Sequence, residues 1–72
     1  MTTTEAVYAA ICRLYEASEQ LPVTVREVQV AAGLSSSSVA DYHVKKLQIA
    51  GRIRRNEGIA RSIRPAGERR AA

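Results

Sequence analysis

Phenylalanine and tryptophan are missing from this 72-residue chain, and cysteine and histidine occur once each. With three tyrosines as the only large aromatics, a core has to be built from aliphatic side chains, with the tyrosines at its edges. A lone thiol, Cys12, forms no intrachain disulfide, which excludes the disulfide-stapled secreted scaffolds. Cys12 and His43 together fall short of the four ligands that a zinc ion takes, so neither metal nor cofactor is expected. Cys12 belongs on the apolar side of a first helix, and His43 reads as a partly buried helix residue. Long hydrophobic runs are missing as well. The run Val7 to Cys12 is far below the roughly 20 apolar residues that cross a bilayer. The opening Met1-Thr2-Thr3-Thr4-Glu5 lacks the basic segment of a signal peptide, so a cytoplasmic protein without membrane contact is the expectation. Catalytic machinery is missing too. Ser35 to Ser38 and Lys45 have no third orienting group and no oxyanion-hole motif beside them, and no glycine spacing suits a phosphate loop. A chain this short leaves little room for a substrate pocket, so neither an enzyme nor a small-molecule substrate is expected.

What the chain does have is an uneven charge. Residues 1–34 carry two arginines against four glutamates, and residues 35–72 carry two lysines and seven arginines against three carboxylates. The halves therefore hold net charges of −2 and +6 within a total of +4. A basic half on a folded domain is the footprint of a polyanion partner. Hydrophobic residues at 46% and charged residues at 25% fit one folded domain rather than a disordered segment.

Three helical stripes can be traced. Val7, Ala10, Ile11 and Leu14 share one face of a helix from about Thr4 to Ser18, flanked by Tyr8 and Tyr15. Thr2 and Glu5 have capping-box spacing, with Thr3 and Thr4 as alternative caps. Leu21-Pro22-Val23 is an extended connector. Thr24-Val25-Arg26-Glu27 is a second and stronger capping box. It opens a short helix over Val25–Ala32 that Gly33 ends in a left-handed conformation. Four consecutive serines, Ser35 to Ser38, then make a turn and N-cap. They precede a third helix from about Ser37 to Ala50, with Ala40, Val44 and Leu47 inward and Gly51 closing it.

The period changes after Gly51. Ile53 and Ile63 are isolated apolar residues on either side of the turn signal Asn56-Glu57-Gly58. Arg52 to Arg55 and Arg61 to Arg64 read as two short strands, ended by Pro65. Residues 66–72 read as a flexible basic tail beyond a 1–65 domain. The fold class is mainly α with a small β-hairpin: a three-helix winged helix-turn-helix.

In that arrangement the third helix enters the major groove of double-stranded DNA with its N-terminal residues leading. Its outward face offers Ser38, Val39, Asp41, Tyr42, Lys45, Lys46 and Ile49. Val39 suits a thymine methyl, and Asp41 and Tyr42 suit bases or water. Asp41 repels phosphate, so on this face it implies a cytosine amino group or a bridging water. Lys45 and Lys46 suit the backbone, and the amides around Ser35 and Ser37 suit a phosphate. The hairpin adds Arg52, Arg54, Arg55, Arg61 and Arg64, with Arg52 and Arg54 exposed opposite Ile53. About five neutralised phosphates would follow. A monomer in solution that pairs on DNA is expected, with Ile49 as a candidate contact between copies. The alternative is a winged-helix protein–protein interaction module whose arginines are a solvated face.

The chain resembles the N-terminal DNA-binding domain of the LexA repressors from about Val7 to Arg64. The resemblance is carried by Leu21-Pro22-Val23-Thr24-Val25-Arg26-Glu27-Val28, Ala32-Gly33-Leu34, His43-Val44-Lys45-Lys46-Leu47, Ala50-Gly51-Arg52-Ile53 and Gly58-Ile59-Ala60-Arg61-Ser62-Ile63-Arg64. It implies a transcriptional regulator, most simply a repressor. It also implies base reading by Ser36, Ser38, Val39, Asp41 and Tyr42, with Ser35, Ser37, Lys45, Lys46, Arg52, Arg54 and Arg61 on the backbone. Only Ser36 is the common family residue. Asparagine, alanine and two glutamates are usual where Ser38, Val39, Asp41 and Tyr42 stand, so the resemblance implies the family's docking mode and a different operator. The self-cleaving, dimerising domain of those repressors has no counterpart in these residues, so self-cleavage is not expected.

Overall fold

The computed structural model describes residues 2–56 and 58–66. Three helices, α1 (Thr3–Ala17), α2 (Val25–Ala32) and α3 (Ser37–Ile49), are followed by strands β1 (Ile53–Arg54) and β2 (Arg64–Pro65). The strands pair antiparallel, Ile53 opposite Pro65 and Arg54 opposite Arg64. The architecture is the winged helix-turn-helix that the sequence implies.

Each helix begins where a hydroxyl takes up a free amide. Thr2 Oγ1 accepts from the Glu5 amide at 3.1 Å, so Thr2 is the cap and neither Thr3 nor Thr4. Thr24 and Glu27 form the complete reciprocal box, at 3.1 and 3.0 Å. Ser36 Oγ accepts from the Val39 amide at 3.2 Å. Such caps contribute about 1 kcal/mol each.

All three helices end in the same way. At α2 the Leu34 amide donates to Gln29 O and the Gly33 amide to Val30 O, with Gly33 at φ 69°. At α3 the Arg52 amide donates to Leu47 O and the Gly51 amide to Gln48 O, with Gly51 at φ 79°. Glycine suits both positions because a left-handed backbone crowds a Cβ. At α1 the Gln20 and Glu19 amides make the equivalent bonds to Tyr15 O and Glu16 O. There Glu19 and Gln20 adopt φ 58° and 69° without being glycine, so the α1–α2 connector carries local strain.

Ten hydrophobic residues are buried among the described residues: Val7, Ala10 and Ile11 from α1, Val23 from the connector, and Val28 from α2. Ala40, Val44 and Leu47 come from α3, and Ile53 and Ile63 from the wing. Tyr8, Leu14, Tyr15 and Leu34 pack at the rim. The wing strands are shorter than the alternation implies, and β2 is displaced so that Pro65 lies within it rather than beyond it. The cause is Ile63. Its amide and carbonyl are engaged by Val23, at 3.0 and 2.7 Å, which forms a separate bridge and takes Ile63 away from β1. Ser62 is buried beside it. Its Oγ accepts from the Asn56 amide at 3.0 Å and lies 2.9 Å from Ile59 O and 3.1 Å from Asn56 O, which holds the loop between the strands closed. The remainder of the expected tail, residues 67–72, lies outside the described residues, as does Glu57 of the turn.

Candidate nucleic-acid interface

The burial of Ala40, Val44 and Leu47 fixes the rotation of α3, and that rotation decides which side chains leave the domain. Ser38, Val39, Tyr42, Lys45, Lys46 and Ile49 are all exposed, Tyr42 at 59% and Ile49 at 87%. Ser35 and Ser37 are exposed in front of them, and Ser36 is half-buried because its hydroxyl caps the helix. Tyr42 is held from two sides. Its ring meets His43 edge-on with centroids 5.1 Å apart, and Lys46 Nζ lies 5.4 Å from its centroid. His43 is anchored in turn, with Nδ1 2.8 Å from the Thr4 hydroxyl. The structure thus brings the serines, Val39, Tyr42, Lys45 and Lys46 together on one projecting face.

Of the remaining sequence-derived residues, Asp41, Arg52 and Arg61 are engaged with other elements. Asp41 sits on the flank of α3 that faces the wing, half-buried, with Arg55 Nη1 at 2.7 Å and Lys45 Nζ at 3.5 Å. The Arg55 contact is a close ion pair whose Nη1 is shielded from solvent. Arg52, expected to be exposed, is half-buried. Its guanidinium lies 4.0 Å from the Tyr8 ring centroid and 3.2 Å from Glu5, and so ties the start of the wing to α1. Arg61 makes a two-point contact with Glu27, 3.1 Å at each nitrogen, and donates to Pro22 O at 3.0 Å. Arg54 and Arg64 face each other across the hairpin. Among the described residues neither has a carboxylate partner. They line a cleft of about 340 Å³ between the wing and α3 together with Arg55, Gln48 and Asn56. The sequence places Arg55 and Arg64 in the basic hairpin but assigns neither of them a contact. Their importance depends on which side of α3 the wing folds against, and no local pattern encodes that.

Two carboxylates register these contacts. Hydrogen bonding from Arg61, helped by the Thr24 amide, holds Glu27 below its ordinary value of 4.5. For Asp41, burial alone would raise the pKa, but the Arg55 contact and charge, with Lys45, outweigh it and the group lies below 3.8. A lowered native pKa contributes stability that is complete above the unfolded value and is lost as pH falls through the native one. Thermal melts are therefore expected to be flat from neutral pH to about pH 5 and to fall in the more acid range. The Glu27→Gln, Asp41→Asn double variant should start lower and lose less on acidification. An equal acid slope in both proteins would show that these pairs contribute nothing.

Two helices joined through a left-handed glycine, the second of them exposed along its leading face and followed by a basic hairpin, define a winged helix-turn-helix protein. The chain matches the LexA DNA binding domain family over residues 9–62, and it belongs to that family. LexA repressor 2 of Xanthomonas axonopodis pv. citri (strain 306) is 38% identical over 66 residues, covering 92% of this chain and 30% of that protein. LexA repressor 2 of Xanthomonas campestris pv. campestris is 38% identical over 65 residues, covering 90% and 30%. The chain spans 30% of the length of these curated relatives. No helix among the described residues is long and apolar enough to cross a membrane.

Proposed function

We propose that this domain binds double-stranded DNA sequence-specifically in the cytoplasm and serves as the operator-reading part of a transcriptional repressor, acting by binding rather than by catalysis. The observation that carries the reading is the projecting face of α3. Small and aromatic side chains lead there, two lysines follow, and all are exposed on a helix of a family described as DNA-binding. Ser36, Ser38, Val39, Asp41 and Tyr42 read base edges. The amides around Ser35 and Ser37, with Lys45, Lys46 and Arg54, hold the sugar-phosphate backbone. Arg52 and Arg61 first brace the wing, and reach phosphate only by releasing Glu5 and Glu27. The binding unit is residues 1–65 with Ala66 tied to it through its amide to Arg52 O at 2.9 Å, and residues 67–72 serve as a tail. One such module buries about 600–1,000 Å² on DNA, so two copies on a two-fold site, monomeric in its absence, is the economical arrangement. Exposed Ile49 is a contact available to that pairing.

Selection of bound duplexes from a random pool tests this reading. A defined consensus is expected. Ser38→Ala and Tyr42→Ala should change it at particular base pairs by about 1–3 kcal/mol, whereas Arg54→Ala should weaken all duplexes alike. Recovery of no enriched duplex, or a consensus untouched by Ser38→Ala and Tyr42→Ala, would remove α3 as the reading element.

A further inference from the structure

Asp41 and Arg55 present two costs that cancel. A carboxylate near the leading end of a helix docked in a polyanion is repelled by phosphates. A guanidinium covered by protein is costly without an anion. Arg55 is such a group, with its side chain 17% exposed and its Nη1 sealed from solvent. Asp41 supplies the anion at 2.7 Å, yet keeps 31% of its own side chain open. Lys45, one turn along α3, approaches the other carboxylate oxygen at 3.5 Å. The result is an acceptor whose charge is neutralised, whose place is set by a residue from the wing, and which lies beside the outward-facing Ser38 and Lys45.

We propose that Arg55 is a positioning residue for base recognition: it holds the Asp41 carboxylate as an oriented acceptor for the exocyclic amino group of a cytosine in the major groove. The wing thereby sets part of the sequence preference of α3 without touching a base. The inference rests on the DNA-binding reading above and adds a partner to it. Acidic side chains accept from cytosine N4 by geometry. An acceptor held in one rotamer discriminates better than one that must be ordered on binding. Lys45 does not replace Arg55 here, since its ammonium is exposed and rides on a flexible stem.

The test compares duplexes selected by the full chain and by Asp41→Ala, Asp41→Asn, Arg55→Ala, Arg55→Lys and the Asp41→Ala, Arg55→Ala double variant. The expected result is a cytosine preference at one position that falls by roughly tenfold in both alanine variants. The double variant should lose no more than either single, and Arg55→Lys should recover part of it. Positions that depend on Ser38 and Tyr42 should stay unchanged. Asp41→Asn, which keeps the shape and adds a donor, should move the preference from cytosine toward adenine. It carries the test even if Arg55→Ala does not fold. If Arg55→Ala weakened all duplexes equally and kept the preference, Arg55 would be a phosphate contact or a brace; the proposal would fall and the DNA-binding reading would stand. An unchanged preference in Asp41→Asn would also overturn it. Enrichment of no duplex by the unaltered chain would overturn both.

Discussion

Ile63→Ala is expected to cost about 2–5 kcal/mol, from the roughly 4–11 kcal/mol available to a chain of this length. Ile63 has no exposed surface, although only polar and small residues stand next to it in sequence. With Ile53 it carries the wing into the hydrophobic core, and its backbone is fixed to Val23 by two hydrogen bonds. Truncation leaves a cavity lined by elements that those bonds keep apart, so little relaxation is available. For a domain of this size the melting temperature should fall by roughly 10–30 °C. Ile59→Ala is the control. Ile59 lies four residues earlier in the same hairpin but is 56% exposed, and its truncation should fall within about 0.5 kcal/mol. Equal effects from the two variants would mean that the wing is an appendage rather than part of the core.

Affinity for duplex DNA is expected to fall about 10²-fold between 50 and 200 mM salt, a log–log slope near −3.6. This figure follows from which cations the structure leaves available. Arg52 is neutralised by Glu5 and Arg61 by Glu27. Asp41 offsets one of the two charges on Arg55 and Lys45, so that cluster counts once. Lys46, Arg54 and Arg64 supply the rest, about four phosphates in place of the five that the sequence implies. Titrations of one duplex across that salt range measure the slope. The Arg54→Ala variant should flatten it by about one. A slope near zero would remove DNA as the partner, and a slope near −5.4 would mean that Glu5 and Glu27 surrender their arginines on binding.

The parts of the fold that were legible were those encoded by neighbours in sequence. Capping hydroxyls, glycines at helix ends and stripes three or four residues apart are local signals, and α2 lies over Val25–Ala32 as the capping box and Gly33 require. The rotation of α3 was legible for the same reason, because three apolar residues suffice to orient it. The wing was less so. Alternation around Ile53 and Ile63 located the two limbs, but Ile63 turned to Val23, a partner that no local period reveals. The candidate site divides along the same line. Exposed Ser38, Val39, Tyr42, Lys45 and Lys46 followed from helix geometry. The ion pairs of Asp41, Arg52 and Arg61 did not, because each joins α1, α2 or α3 to a residue 14 to 47 positions away.

The bridge between Val23 and Ile63 also bears on the order in which the chain assembles. Its two residues are 40 positions apart, so this contact forms only after a long loop has closed, and loop-closure entropy is spent before it returns anything. Helix α2 meets both α1 and α3 through shorter separations, so helix pairing can begin without it. Ile63 is therefore a position of low φ-value. Its truncation should leave the refolding limb of a chevron plot almost unmoved and shift the unfolding limb upward. That outcome would make the wing, which fastens the native domain, the element whose release limits its lifetime.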